Sequence, residues 1–438
     1  MSPVSRGRKP KKAKKGKKPP ARVTNSGWAK AATREFGGPR RAASGSLIEE
    51  FFGSRDPRPR WWEPSFERLI AASGDLLAAQ GPRVLEQATA ELIGAELHQA
   101  VLAERSGLSF DAWATELIGR SVDWMADAAG RGDDAWRGPW RLLHGLAAIG
   151  SYGLGAFAWE QASEAAGSLP RDALVAEPAW LKLLPDIKAT GDVRMMRDAY
   201  GTRFGVIADF CYPGGIDPSA FLLDLDASGS IVLAGAGAFD GVEQAAAAWR
   251  DQVGVSAEGL TPGPATAESL ACLVSCEHGE LYINGNESRA QMDNWFRGPR
   301  RIQETIGALH KRGVVLPEYS LQYHDIDVAP MAVPFTAWYS ERHGHEPHRE
   351  AVEALAEEWL EGMLPGTEHA VSPHRSEFFR ELISDWLDDP VTDAALALLP
   401  EWVRWNGEQA GVPAPLIDRA VSAASAGTGH RRPGSVDS

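Results

Sequence analysis

From about residue 62 onward, apolar side chains recur at intervals of three and four. Phe66, Leu69, Ile70, Leu76 and Leu77 fall on one helical face, with Pro64 placed as a helix start suits it. Leu85, Ala88 and Leu92, then Phe110, Trp113, Leu117 and Trp124, continue the period, so residues 47 to about 184 read as a helical bundle. Pro170, Pro178 and Pro185 mark its exit. Between Thr202 and Val253 the period shortens. Arg203–Cys211, Ala220–Leu225 and Ser230–Ala234 read as three strands joined by short Gly-containing turns, which favours an antiparallel meander. A helix, Val242–Val253, follows, and Thr261-Pro262-Gly263-Pro264 reads as a linker. Helical spacing resumes in Val352, Leu355, Trp359 and Leu360 and again in Phe378, Phe379, Leu382, Ile383 and Trp386. Residues 312–346 show no clear helix.

The predicted class is therefore α+β, predominantly α: a helical bundle plus a small three-stranded antiparallel meander flanked by helices. The expected divisions are a basic tail at 1–45 and a helical domain at 46–185. A meander with its helix at 186–260, a helical region at 261–422 and a tail at 423–438 complete them. The first segment is poor in apolar residues and rich in Lys, Arg, Pro, Gly and Ser, too little to offset its ordering entropy, and is expected to be disordered.

Charge changes this picture most. Residues 1–45 carry fourteen Lys or Arg against one acid, Glu35. Taking that +13 from the chain's net −14 leaves −27 on the rest. Seven of the eleven lysines lie between Lys9 and Lys18, whereas the body takes its positive charge mostly from arginine. Arg6, Arg8, Lys9, Lys11, Lys12, Lys14, Lys15, Lys17, Lys18 and Arg22 thus form an acid-free block suited to a nucleic acid or another polyanion by counterion release, without sequence reading. A merely solubilising extension is the competing explanation.

Three cysteines cannot build a disulfide framework, and the basic N-terminus is followed by no apolar segment, so a soluble protein of the cytoplasm is expected. Leu142–Trp159 lacks Lys, Arg, Asp and Glu, but His144 and four glycines favour a buried helix over a membrane span. Most of the sixteen tryptophans sit on apolar helical faces; Trp61 and Trp62, beside Arg58 and Arg60, read as clamping the tail-proximal segment onto the body in preference to stacking on a ligand.

Several motif fragments stop short of their chemistry. Asp224-Leu-Asp226-Ala-Ser228-Gly229 reads like the opening of an EF-hand loop, but its twelfth position is Gly235 instead of a bidentate Glu, so a polar turn is preferred. Gly235-Ala-Gly237 lacks the third glycine of a dinucleotide turn, where Asp240 stands. Cys272-x-x-x-Cys276-x-His278 lacks a third thiolate, and its cysteines read as buried small residues. No Gly-x-Ser-x-Gly, Walker A or His-Glu-x-x-His pattern occurs. The best surviving set is His343, His345 and His348, with His324 and Asp325 upstream, three imidazoles that a loop ending at Pro347 could bring to one ion such as zinc. The alternative to a polyanion-binding protein is then a metal-dependent enzyme, with Glu346 or Asp325 as base. A solvated polar loop is the plainer reading of the same residues.

Overall fold

The structure is a computed structural model, and it describes residues 59–102, 110–212, 215–229, 231–277, 288–317, 326–386 and 391–425. The basic block from Arg6 to Arg22, and with it the expected disorder of the N-terminal segment, lies outside these residues. So do His278, His324 and Asp325.

The fold is α+β and predominantly helical, as the periodicity predicts. Helices α1 (Trp62–Ala72), α2 (Pro82–Leu102), α3 (Phe110–Gly130), α4 (Arg137–Ile149), α5 (Tyr152–Ala165) and the short α6 (Arg171–Val175) come first. Trp61 and Trp62 are both buried. Trp61 stacks on Trp113 at 6.5 Å between ring centroids, and Trp62 meets Phe66 edge-on, so this pair is part of the core. The charge-free stretch is two helices, since Gly150 ends α4 and Ser151 caps α5 by accepting from Leu154 N–H. Every residue from Gly138 to Ile149 is buried, and among the described residues no helix is long and apolar enough to cross a membrane.

The sheet has four strands, not the three expected: β1 (Lys188–Arg197), β2 (Arg203–Tyr212), β3 (Ile216–Asp226) and β4 (Val232–Phe239), antiparallel in that order. The missed strand is β1, an edge strand broken by an irregular register between Ala189 and Val193, where Gly191 takes a positive φ of 83°. Its Lys188, Asp192, Arg194 and Arg197 obscure the alternation, as charges on an edge strand do while they discourage pairing with another chain. β4 also runs further than its expected Ala234 end, so Gly235 and Gly237 lie within a paired strand, where Gly237 sits opposite Leu222 of β3. That placement leaves no phosphate-binding turn.

Alternation along β2 and β3 sorts their side chains into two layers. Phe204, Val206, Ala208, Phe210, Phe221, Leu223 and Leu225 join the helices before the sheet and those after it in one continuous core. The later helices are α8 (Ala267–Glu277), α9 (Arg289–Trp295) and α10 (Gly298–Lys311). On the opposite face Ile207, Ala220 and Leu222 pack on Ala245, Ala246 and Trp249 of α7 (Val242–Val253). Gly205 is required there, because a Cβ would lie 2.9 Å from the Trp249 ring.

A second core is built from α11 (Ala329–His343), α12 (Arg349–Leu360), α13 (Pro373–Ser384), α14 (Thr392–Gln409) and α15 (Ala414–Ser425). The helix α11 corrects the expectation that 312–346 holds none. Pro330 sits in its first turn, where no N–H partner is needed, and Pro334 is carried inside, so two residues that usually break helices concealed a real one.

Candidate functional site

The densest chemistry lies where the turn end of the sheet meets the second core, and it grows from the EF-hand-like fragment. Asp224 and Asp226 are two apart on β3 and share the α7 face. Arg203 of β2 is the register partner of Asp226. Its Nε donates to Asp224 Oδ1 at 3.2 Å, its Nη2 donates to Asp224 Oδ2, and its Nη1 donates to Asp226 Oδ2 at 3.4 Å. Trp249 Nε1–H also donates to Asp224 Oδ1, at 3.0 Å, and the Ser228 N–H donates to Asp226 Oδ1 at 2.8 Å. The oxygens that would face a calcium ion are thus already engaged by a guanidinium, an indole and a backbone amide.

Both aspartates are buried, yet their acidities part. Burial pushes Asp224 above the usual carboxylate range despite Arg203. Burial pushes Asp226 the same way, but the Arg203 charge and a contact with His374 outweigh it and hold Asp226 well below that range. His374, in the first turn of α13, places Nδ1 3.4 Å from Asp226 Oδ2 and keeps a third of its side chain exposed (34%). A buried carboxylate behind a partly exposed imidazole orients the ring and stabilises its protonated form, an arrangement that serves acid–base and proton-responsive roles. Sequence reasoning missed this pair because His374 lies 148 residues from Asp226. The only local signal was Ser372-Pro373-His374, a helix-start pattern.

Around the pair the two cores are pinned together. Tyr200, at the tip of the β1–β2 turn, belongs to the second core, and its carbonyl accepts from the Val371 N–H at 3.1 Å. Ser228 and Ser372 hydroxyls lie 3.3 Å apart. Arg375 is buried over the Trp359 ring at 4.2 Å and donates to the carbonyls of Ser228 and Trp359 at 3.1 and 2.9 Å. In the same turn Asp198 Oδ1 accepts from the N–H groups of Thr202 and Arg203, at 2.9 and 3.0 Å. The Asp198 carboxylate is buried beside Ser256, and burial outweighs its hydrogen-bond donors to raise this carboxyl to about 6.

A second buried network sits inside the first core. Arg301 Nη2 donates to both oxygens of Glu86, at 2.9 and 3.0 Å, and its Nη1 to Glu304 at 2.6 Å, with its guanidinium 5.2 Å from the Phe210 ring centroid. Arg300 donates to the other Glu304 oxygen at 2.8 Å and to the Ala147 carbonyl at 3.2 Å. Arg297 donates to Gln87 at 2.9 Å and to Asn294, and its burial lowers it to about 10.

The histidine set is spread along one ledge. His343 ends α11, Gly344 turns the chain at φ 75°, and His345 is exposed. The His343 and His345 rings are 6.3 Å apart, His343 stacks on Tyr339 at 4.2 Å, and its Nε2 is 3.6 Å from Glu401. His348 instead caps α12, with Nδ1 accepting from the Ala351 N–H at 3.2 Å. Among the described residues no three His, Cys, Asp or Glu side chains are grouped so as to hold a metal ion. Cys272 and Cys276 are buried in α8, and burial pushes the Cys272 thiol well up, away from thiolate chemistry. Two open clefts, of about 230 and 390 Å³, lie by Ser151 and Leu154 and by Arg83 and Gln87, away from both the ledge and the diacid.

Comparison with protein-family models, curated proteins and solved structures finds no match to this chain.

Proposed function

We propose that this is a binding protein whose N-terminal block, Arg6 to Arg22, contacts nucleic acid non-specifically while the acidic body engages something else. The observation that carries the reading is the charge segregation: +13 in the first 45 residues against −27 beyond them. The way the body uses its arginines supports it. Arg141, Arg203, Arg300, Arg301 and Arg375 are held by carboxylates or carbonyls inside the protein, so none of them adds to a basic surface. Other body arginines are exposed but paired with acids, as Arg349 is with Glu353 and Arg312 with Asp192, whereas the block from Arg6 to Arg22 holds no acid. On this reading the tail supplies counterion release without base readout.

The test is fluorescence anisotropy with a duplex of arbitrary sequence. Binding is expected at about 50 mM salt and should weaken by roughly 10³-fold or more by about 200 mM, as for a ligand making several phosphate contacts. Removing residues 1–22 should abolish it and leave the fold intact. Equal binding by the truncated protein overturns the reading, and so does an absence of binding by the full chain at the lower salt.

A second reading keeps the histidine ledge as a zinc site. It needs a third donor beyond the neighbouring His343 and His345, because among the described residues no three such side chains are grouped, and His348 would have to give up its cap or bind through Nε2.

A further inference from the structure

We propose that the seam between the sheet and the C-terminal helices is proton-responsive, closing more firmly in mildly acidic than in mildly alkaline conditions. Two neighbouring features carry this. The first is the Asp226–His374 contact, which joins β3 to α13 at 3.4 Å beside the Ser228–Ser372 and Arg375–Ser228 contacts. The second is the Asp198 turn, which presents Tyr200 to the second core around a buried carboxylate.

The charges facing each group set the sign. Around Asp226 and His374 stand Arg203 of β2, Asp224 of β3, Arg375 next along α13, and the Cys272 thiol of α8, kept protonated by burial. The positive end of α13, Arg203 and Arg375 disfavour a charged imidazole, whereas Asp226 and Asp224 favour it. Because the His374 charge favours ionised Asp226, ionised Asp226 favours protonated His374 by the same free energy. This tie is an ion pair only while the imidazole is protonated, and it loses that charge as the imidazole gives up its proton.

Asp198 faces Arg203, Ser256 and the Tyr200 ring, with Arg197 holding the turn through the Gly201 carbonyl at 3.4 Å and Arg419 of α15 acting on Tyr200. Its carboxyl is raised to about 6 in the folded protein. A raised group contributes stability below its unfolded value, near 3.8, and loses it as pH climbs through about 6. Both groups therefore weaken the same seam in the same direction as pH rises.

Hydrogen exchange on the full chain, corrected for intrinsic rates, reads the seam directly. Between pH 5 and pH 8 the protection factors of residues 199–203 and 371–376 should fall about tenfold, the change that one pH unit of linkage supplies. Segments of α2 and α4 should stay level. His374→Gln, at a partly exposed position, and Asp198→Asn, which keeps an acceptor for the Thr202 and Arg203 amides, should each remove part of the pH step. The double variant should remove all of it. A wild-type protein with no step overturns the proposal, and so does a step that survives in the double variant.

Discussion

Two arginine-centred networks do different work in this molecule. Arg301 lies inside one core, between Glu86 of α2 and Glu304 of its own helix, and joins helices that the same apolar layer already holds together. Arg203 lies on the α7 face of the sheet, away from that core, and the carboxylate it shares with His374 belongs to the boundary with the second core. Buried ion pairs rarely add net stability, but removing one partner leaves the other charge uncompensated. Losing Arg301 should therefore be felt by the whole first core. Losing Arg203 should be felt at the seam, and the loss should depend on whether its aspartates are ionised.

Arg301→Met gives the largest effect expected. It strands Glu86 and removes one partner of Glu304, and should cost about 3–5 kcal/mol in urea unfolding near neutral pH. Probes in the C-terminal helices should report it as strongly as probes in α2 only if both cores unfold together. Separate transitions would show that the seam is the weaker joint. Adding Glu86→Leu should recover part of the loss, since an apolar pair of similar size is often no worse than an ion pair.

Arg203→Met comes next, at about 3 kcal/mol at pH 7, because two buried carboxylates lose their cation. Its pH dependence is what sharpens the comparison. In the wild-type protein Asp226 is held low, so its contribution is present above the unfolded carboxylate value and is lost only in strong acid. Without Arg203, burial is opposed only by Trp249 at Asp224 and by His374 and Ser228 at Asp226. Both aspartates should therefore rise, and the variant should regain stability relative to wild type as pH falls from 7 to about 4.5. For Arg301→Met the same gap should close less, because Arg300 still faces Glu304. Equal narrowing in the two variants would erase the distinction between the networks.

The sequence exposed the two regions unequally. The meander and its trailing helix were legible because period-2 alternation and Gly-rich turns are local signals, and Val242–Val253 appears with the bounds expected. β1 was not legible, because its charged edge positions and the irregular stretch around Gly191 break the alternation. Helix α11 was hidden behind two prolines. Of the site, Asp224 and Asp226 stood out, but as half of an ion-binding loop. Their partners Arg203, Trp249 and His374 come from three other elements, and one sequence gives no means of joining them. Local spacing likewise grouped His343, His345 and His348, whereas the backbone gives the last of them to a helix end.

That helix end supplies the smallest effect and the sharpest choice between cap and ligand. His348 Nδ1 accepts from the Ala351 N–H, so His348→Ala leaves an amide at the start of α12 without its side-chain acceptor and should cost about 1 kcal/mol. His348→Asn should restore most of it, because Asn is among the best capping residues and reaches the same amide. Zinc discriminates in the other direction. An imidazole ligand is not replaced by a carboxamide, so if His348 also binds metal, Asn should rescue the unfolding midpoint and fail to rescue zinc affinity measured by competition with a chelating dye. His345→Ala is the companion variant. His345 is exposed, and its ring nitrogen is 3.2 Å from the neighbouring Glu346 carbonyl, so its loss should leave stability within about 0.5 kcal/mol. It should lower zinc affinity only if the ledge is a metal site. Full rescue of the midpoint by Asn, together with no zinc bound by wild-type protein never exposed to chelator, assigns His348 to the helix alone and retires the metal reading.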